Sequence, residues 1–281
     1  MELTGKTAVI TGGASGIGLA TARRFAAAGV NLVLGDIEEG PLAEAVEGIE
    51  AQGARVVGQR CDVGDEDDVI ALRETALARF GAVHVVFNNA GVGGGPVIGT
   101  PKPVWDWVMR VNVDGVVNGI NAFVPHFLEQ DEGHVVNTAS LAGLGGVPYT
   151  GVYCASKFAV VGLSESLFHE LALTGKNVHV SVLCPGFVRT RIHESMRNLP
   201  EDLKGYGDDP SITALHAISA QVVNAGIDPD EVGRAVAEAV SEDRFWILPH
   251  LRSALGTTKR RLEWMRGGPP MQIDLEAATK P

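Results

Sequence analysis

The chain has 281 residues, 45% hydrophobic and 20% charged, which fits one large α/β domain with a sizeable core. Its formal net charge of −11 argues against a nucleic-acid or anionic-membrane partner, because both demand a basic surface. Cys61, Cys154 and Cys184 form no disulfide framework, and neither a signal-peptide core nor a bilayer-length apolar run is visible, so a reducing cytoplasm is expected.

Short apolar runs alternate with longer helical patterns along the chain. Strands are predicted over 7–10, 31–36, 55–62, 83–88, 134–140, 179–184 and 245–248. Helices are predicted over 16–28, 38–52, 66–80, 103–128, 151–174 and 229–241. Several strands are unbroken apolar runs, as expected where helices cover both faces of a sheet. Regular β-α alternation implies a parallel sheet with right-handed crossovers. Asp65 and the Asp228-Pro229 pair read as helix starts. Residues 189–227 break the alternation as a long insertion of the kind used for lids. From Gly267 the chain reads as a surface tail, and Lys259, Arg260, Arg261 and Arg266 before it as a solvated helix face.

The first strand runs into Thr11-Gly12-Gly13-Ala14-Ser15-Gly16-Ile17-Gly18, and a helix follows at once. Such glycines permit a tight turn and bring backbone N–H groups to a pyrophosphate at the helix N-terminus. Asp36 closes the second strand, where a carboxylate accepts from both ribose hydroxyls of NAD and repels the 2′-phosphate of NADP. Position 37 is isoleucine and Ser15 brings no positive charge, so NAD is favoured over NADP.

Tyr153 and Lys157 stand four apart in the helix predicted over 151–174, so their side chains share a face. A phenol is a poor base at neutral pH, and an ammonium beside it favours the phenolate. The pair alone also fits a solvated helix face. Cys154 points to another helix face and reads as packing. The eight histidines show no metal-ligand spacing, so no metal is expected.

With the glycine turn and the Tyr–Lys pair together, the chain resembles the short-chain dehydrogenase/reductase family in its single-domain form. The likeness is dense over 5–190. Asp62-Val63 resembles the family's adenine-holding pair, and Asn88-Asn89-Ala90-Gly91 the motif lining the cofactor cleft. Asn112 and Ser140 match its active-site asparagine and serine, with Ser140 13 residues before Tyr153. The segment Pro185-Gly186-Phe187-Val188-Arg189-Thr190 matches the stretch that holds the nicotinamide carboxamide.

The resemblance implies a Rossmann-type doubly wound parallel sheet of about seven strands with helices on both faces. It implies one catalytic domain over 1–266, with 189–227 as substrate lid and 267–281 as tail. The implied cofactor-binding residues are Gly12, Ser15, Gly16, Ile17, Gly18, Asp36, Asp62, Val63, Asn89, Ala90, Gly91, Tyr153, Lys157, Pro185, Gly186, Val188 and Thr190. The implied catalytic set is Asn112, Ser140, Tyr153 and Lys157. Tyr153 acts as base, Lys157 lowers its pKa and holds the nicotinamide ribose, Ser140 holds the substrate oxygen, and Asn112 holds a relay water. Hydride then passes between NAD and a secondary alcohol or ketone.

Ile192, Met196, Leu199, Leu203, Tyr206, Ile212, Leu215 and Ile218 in the insertion suit a bulky hydrophobic substrate, and equally suit packing on the body. Arg189, Arg191 and Arg197 either meet an anionic group or are solvated. Gly93-Gly94-Gly95-Pro96 is expected as a mobile or tightly turned rim. The rival readings are a ketone reductase using NADPH and a non-catalytic NAD-binding redox sensor. The resemblance also implies a homo-oligomer, dimer or tetramer, paired through the helices over 103–128 and 151–174.

Overall fold

A computed structural model describes residues 1–271. Seven strands form one sheet in the order β3-β2-β1-β4-β5-β6-β7, and every pair is parallel. They are β1 (Thr7–Thr11), β2 (Asn31–Asp36), β3 (Val56–Arg60), β4 (Val85–Asn88), β5 (Gly133–Thr138), β6 (Val178–Leu183) and β7 (Trp246–Ile247). The expected doubly wound sheet is therefore present. Its predicted strands are trimmed at their ends: Asp62, Ser140 and Cys184 fall just beyond the ladder, where the chain turns toward the cleft.

The unbroken apolar runs follow from the pleat. Ala8 and Ile10 of β1, Leu32 and Leu34 of β2, and Val85 and Phe87 of β4 face one core. Val9, Val33 and Val86 between them face the other. The first core is closed by α1 (Gly16–Ala27), α2 (Glu39–Glu50) and α9 (Pro229–Ser241). The second is closed by α3 (Glu66–Phe80), α5 (Gly115–Gln130) and α6 (Gly151–Thr174). Helix α1 lies against α9 so closely that a Cβ on Gly233 would stand 2.8 Å from the Ala20 carbonyl carbon. The predicted caps hold: Asp65 accepts from Asp67 N at 3.0 Å and Asp228 from Asp230 N at 2.9 Å.

Two regions differ from the sequence expectation. The helix predicted over 103–128 is α4 (Lys102–Met109) and α5 joined by a π turn, Arg110–Asp114. Backbone angles stay right-handed helical through Met109, Asp114 and Gly115, so the axis is continuous. The insertion is not one open loop. It holds short 3-10 turns at Ile192–Asn198 and Glu201–Leu203, then α7 (Lys204–Gly207) and α8 (Pro210–Asn224). A last helix, α10 (Leu251–Met265), follows β7. The tail beyond Met271 lies outside the described residues.

In this sheet order successive strands are laid down to one side from β1 to β3 and to the other from β4 to β7, and open α/β sheets bind ligands in the crevice at such a switch point.

Candidate active site

A cleft of ≈ 1120 Å³ opens at the carboxyl ends of the strands, with mainly apolar walls. Gly12, Ser15, Gly16 and Ile17 line one end, with Asp36, Asp62 and Val63. Asn89, Ala90, Gly91, Ser140, Tyr153 and Lys157 line its middle, with Pro185, Gly186, Val188 and Thr190 opposite. Two residues of the predicted set do not line it. Gly18 sits one turn into α1, and Asn112 is fully buried behind the wall.

The glycine turn is built for close approach. Gly12 and Gly16 have φ of +62° and +53°, which disfavour any side chain. A Cβ on Gly12 would stand 2.9 Å from Ala90 Cα, and one on Gly16 2.9 Å from Thr190 Cγ2. Gly18 leaves room for the turn itself, since a Cβ there would overlap Gly12 O. Ser15 precedes α1 without capping it through its side chain, so the first amides of the helix have no side-chain acceptor at that end. Asn89 braces the turn by donating to Thr11 O and Gly12 O at 3.0 and 3.2 Å.

Asp36 Oδ2 accepts from Ala14 N at 3.0 Å and Oδ1 from Glu38 N at 3.1 Å. Burial nevertheless raises its pKa above the ordinary value, with those hydrogen bonds opposing. Each oxygen keeps a second lone pair for a ligand. Asp62 accepts from Gly64 N at 3.0 Å and from Arg110 Nη2 at 2.9 Å, so its carboxylate is oriented from the π turn. A cradle that only glycine fits, a free helix N-terminus and an acid beyond it suit a dinucleotide.

Lys157 is 3% exposed, on the same face of α6 as Tyr153. Its Nζ lies 5.5 Å from the centre of the Tyr153 ring and donates to Thr138 O at 2.8 Å. No carboxylate lies within ion-pair distance of it among the described residues. Burial pushes its pKa down to about 8. Burial likewise pushes Tyr153 up to about 12, with the Ser140 hydroxyl pulling the other way. The sequence had Lys157 lowering the phenol's pKa. Here desolvation wins, and the ammonium is turned to the Thr138 carbonyl instead of to the phenol oxygen.

Ser140 Oγ donates to Pro185 O at 3.4 Å and accepts from Ala142 N at 3.1 Å, which fixes the hydroxyl between two walls of the cleft. Asn112 sits in the π turn. Its Oδ1 accepts from Val92 N at 2.8 Å, and its Nδ2 donates to Val92 O and Ser156 Oγ at 2.9 and 3.0 Å. Both amide protons are thus committed. The Asn112 side chain is a brace between the rim and α6, and the expected relay water has no free donor on it.

Cys154 is buried in packing as expected, with Sγ 3.3 Å from Val147 N. The glycine rim is pinned: Gly93 N donates to Ser195 Oγ at 2.8 Å. The insertion's apolar residues divide between the two offered roles. Met196, Leu199 and Leu203 pack on Trp107, Val108 and Val152. Ile212, Leu215, Ile218 and Val222 turn one face of α8 to the cleft. Arg189, Arg191 and Arg197 are all paired, with Asp228, Glu194 and Glu38. The basic cluster is not all solvated, since Arg260 lines the cleft and Arg261 stacks 4.8 Å over Phe158.

Sequence reasoning missed several supports. His250, fully buried at the start of α10, accepts from Gly186 N at 3.0 Å. Thr11 Oγ1 accepts from Asn89 N and Ala90 N at 3.0 and 3.2 Å. Ser195 and Ser156 hold the rim and Asn112. Only Thr11 carried a local signal, as the last residue before the glycine turn. No helix is long and apolar enough to cross a membrane, and no metal-holding group occurs, among the described residues.

Residues 6–200 match the family described as short chain dehydrogenase. A short-chain dehydrogenase/reductase from Burkholderia phymatum, solved in complex with NAD, aligns with a TM-score of 0.93 and 41% identity, over 98% of this chain and 99% of that one. The 3beta-hydroxysteroid dehydrogenase 2 of Eggerthella lenta is 35% identical over 256 residues, covering 87% of this chain and 95% of its own. The 1-deoxy-11-beta-hydroxypentalenate dehydrogenase of Streptomyces arenae is 38% identical over 252 residues, or 86% of this chain and 81% of its own. Sheet order, glycine cradle and sequence agree, and the chain belongs to the short-chain dehydrogenase family, oxidoreductases that bind NAD(P) and move hydride at CH–OH groups.

Proposed function

We propose that the protein is an NAD-linked dehydrogenase of bulky, hydrophobic secondary alcohols, with Tyr153 as its acid/base. The observation that carries this reading is Lys157, a buried ammonium without a carboxylate partner, one helical turn from a phenol at the cleft wall. Leaving such a charge unpaired in the interior is costly, so chemistry and not stability accounts for it.

The bound dinucleotide supplies the hydride acceptor or donor. In oxidation Tyr153 takes the hydroxyl proton of the alcohol at its phenolate oxygen. In reduction it gives that proton back. Ser140, fixed between Pro185 O and Ala142 N, orients the substrate oxygen and stabilises charge developing on it. Lys157 Nζ serves the cofactor ribose and supplies the positive charge that offsets desolvation of the phenolate. Asn112 holds the rim and α6 at fixed separation.

The cofactor set is the one read from the sequence, from Gly12 to Thr190. Asp36, whose two oxygens each keep a lone pair, favours NAD over NADP, and a solved relative carries NAD. The apolar face of α8 supports a hydrophobic substrate, and two relatives are named for a hydroxysteroid and a hydroxypentalenate. Residues 1–266 act as one catalytic domain with 189–227 as its lid. A homo-oligomer paired through the continuous α4–α5 helix and α6, working in the cytoplasm, completes the proposal.

The test is a panel of lipophilic secondary alcohols followed by NADH absorbance. Turnover with NAD, lost about 10²–10⁴-fold in Tyr153→Phe, is the expected result. Equal turnover in Tyr153→Phe sinks the acid/base assignment.

A further inference from the structure

Among the polar contacts that join the lobe formed by residues 189–227 to the body in the described residues, three bear on the cleft. Two are neutral and lie on the rim: Gly93 N with Ser195 Oγ at 2.8 Å, and Thr100 Oγ1 with Tyr206 Oη at 3.0 Å. The third is charged and stands at the opposite end. Arg197 Nη2 and Nε donate to the two oxygens of Glu38 at 2.5 and 3.0 Å, a side-on fork across 159 residues of sequence.

Glu38 is two residues past Asp36, and its own N–H donates to Asp36 Oδ1. The fork therefore closes over the end of the cleft where the adenosine ribose is proposed to lie. Both side chains are largely sheltered, at 27% and 22% exposure, so solvent screens the pair only in part. The Arg197 guanidinium holds the Glu38 carboxyl below its ordinary pKa.

Arg197 has no other carboxylate within ion-pair distance among the described residues. Its neighbour Arg191 is committed to Glu194 at 2.6 Å. Arg197 Nη1 also donates to Arg191 O at 3.3 Å, a tether that does not depend on Glu38. So a guanidinium fork, the group best shaped for a phosphate, is already anchored beside the ribose acid, and one carboxylate occupies it.

We propose that Glu38 is a second determinant of NAD selectivity beside Asp36, and that it acts by keeping Arg197 occupied. The proposal rests on the reading of this cleft as the dinucleotide site. A 2′-phosphate placed at the end of β2 meets two carboxylates and an arginine that is already spent. With the charge at position 38 removed, the tethered fork of Arg197 faces that phosphate unpaired.

The experiment is equilibrium titration of the full-length protein with NAD, NADP, ADP-ribose and 2′-phospho-ADP-ribose. The last two lack nicotinamide, so the readout is independent of turnover. The quantity read is the ratio of Kd for the 2′-phosphorylated ligand to Kd for its unphosphorylated counterpart. In Glu38→Gln this ratio falls about tenfold or more, as expected when the freed guanidinium forms a charge-assisted hydrogen bond to the phosphate. In Arg197→Met it rises, because Glu38 is left as an unpaired negative charge. In the double variant it returns to within about threefold of the unaltered protein. An unchanged ratio in Glu38→Gln, or an equal fall in the double variant, overturns the proposal while leaving the NAD site intact. Should the unaltered protein bind neither NAD nor ADP-ribose, the dinucleotide reading itself falls and takes this one with it.

Discussion

Lys157 sets the terms at the residue scale. An ammonium buried at 3% exposure without a counter-charge lowers the stability of the empty protein, and the same burial pushes its pKa down to about 8. Below pH 8 the lysine is charged in both folded and unfolded chains, so the full cost is present. Between about 8 and 10.5 the folded state has released the proton and the unfolded state has not, so the cost fades as pH rises. Lys157→Met should therefore be more stable than the unaltered protein, by an amount on the order of 2–3 kcal/mol at pH 7 that shrinks toward pH 10, and should melt at a correspondingly higher temperature. The same variant should lose turnover. Thermal melts of both proteins across that pH range decide it, and a less stable Lys157→Met at pH 7 would count against the buried, unpaired state. Tyr153 predicts a second pH dependence. In the proposed acid/base role its phenol, pushed up to about 12 by burial, must be ionised to accept the alcohol's proton, so alcohol oxidation should quicken as pH rises, while ketone reduction, which uses the protonated phenol, should stay level until pH approaches 12. Initial rates in both directions over a pH series check the sign.

The π turn at Arg110–Asp114 organises the element scale. It widens one turn of a continuous helix, and its residues reach in two directions. Arg110 orients Asp62 at one end of the cleft, while Asn112 ties Val92 to Ser156 of α6. The sequence showed only an asparagine in an unfavourable helical position, which signals a role and not a geometry. Further along the same helix Gly119 admits the Asn88 side chain, which a Cβ would overlap. Asn88 in turn donates to Asn137 Oδ1 at 2.9 Å, and Asn137 to Ser164 Oγ at 3.1 Å, so β4, β5 and α6 share one buried polar chain, with Gly119 of α5 packed against its first member. Gly119→Ala should break that chain and destabilise the fold by about 2–3 kcal/mol, read as a shift in urea midpoint with an unchanged slope. A shift below about 0.5 kcal/mol would mean that Asn88 moves aside freely.

At the scale of the whole molecule, what the sequence showed and what it hid divide by distance along the chain. The glycine turn, Asp36 and the Tyr153–Lys157 pair are legible because each rests on local backbone or on one helical turn. The sheet is legible because its strands are covered on both faces and read as apolar runs. The contacts that close the lobe are not, since Gly93 and Ser195 lie 102 residues apart, and Glu38 and Arg197 lie 159 apart. The short helices of the lobe escaped for a related reason. Their apolar residues serve two surfaces, the body through Leu199 and the cleft through Leu215, and so blur the 3.6-residue period. The fit of α1 against α9 is equally remote, and it bears on how the protein is made. Helix α1 carries the glycine cradle on its first turn, yet Phe25 and Ala22 on its inner face join a core completed by Val232, Val236 and Val240 of α9. Synthesis delivers α1 about two hundred residues before its cover. Until residue 240 has left the ribosome, the nascent chain has the glycine turn but not the helix that covers α1, so capture of the proposed dinucleotide waits for α9.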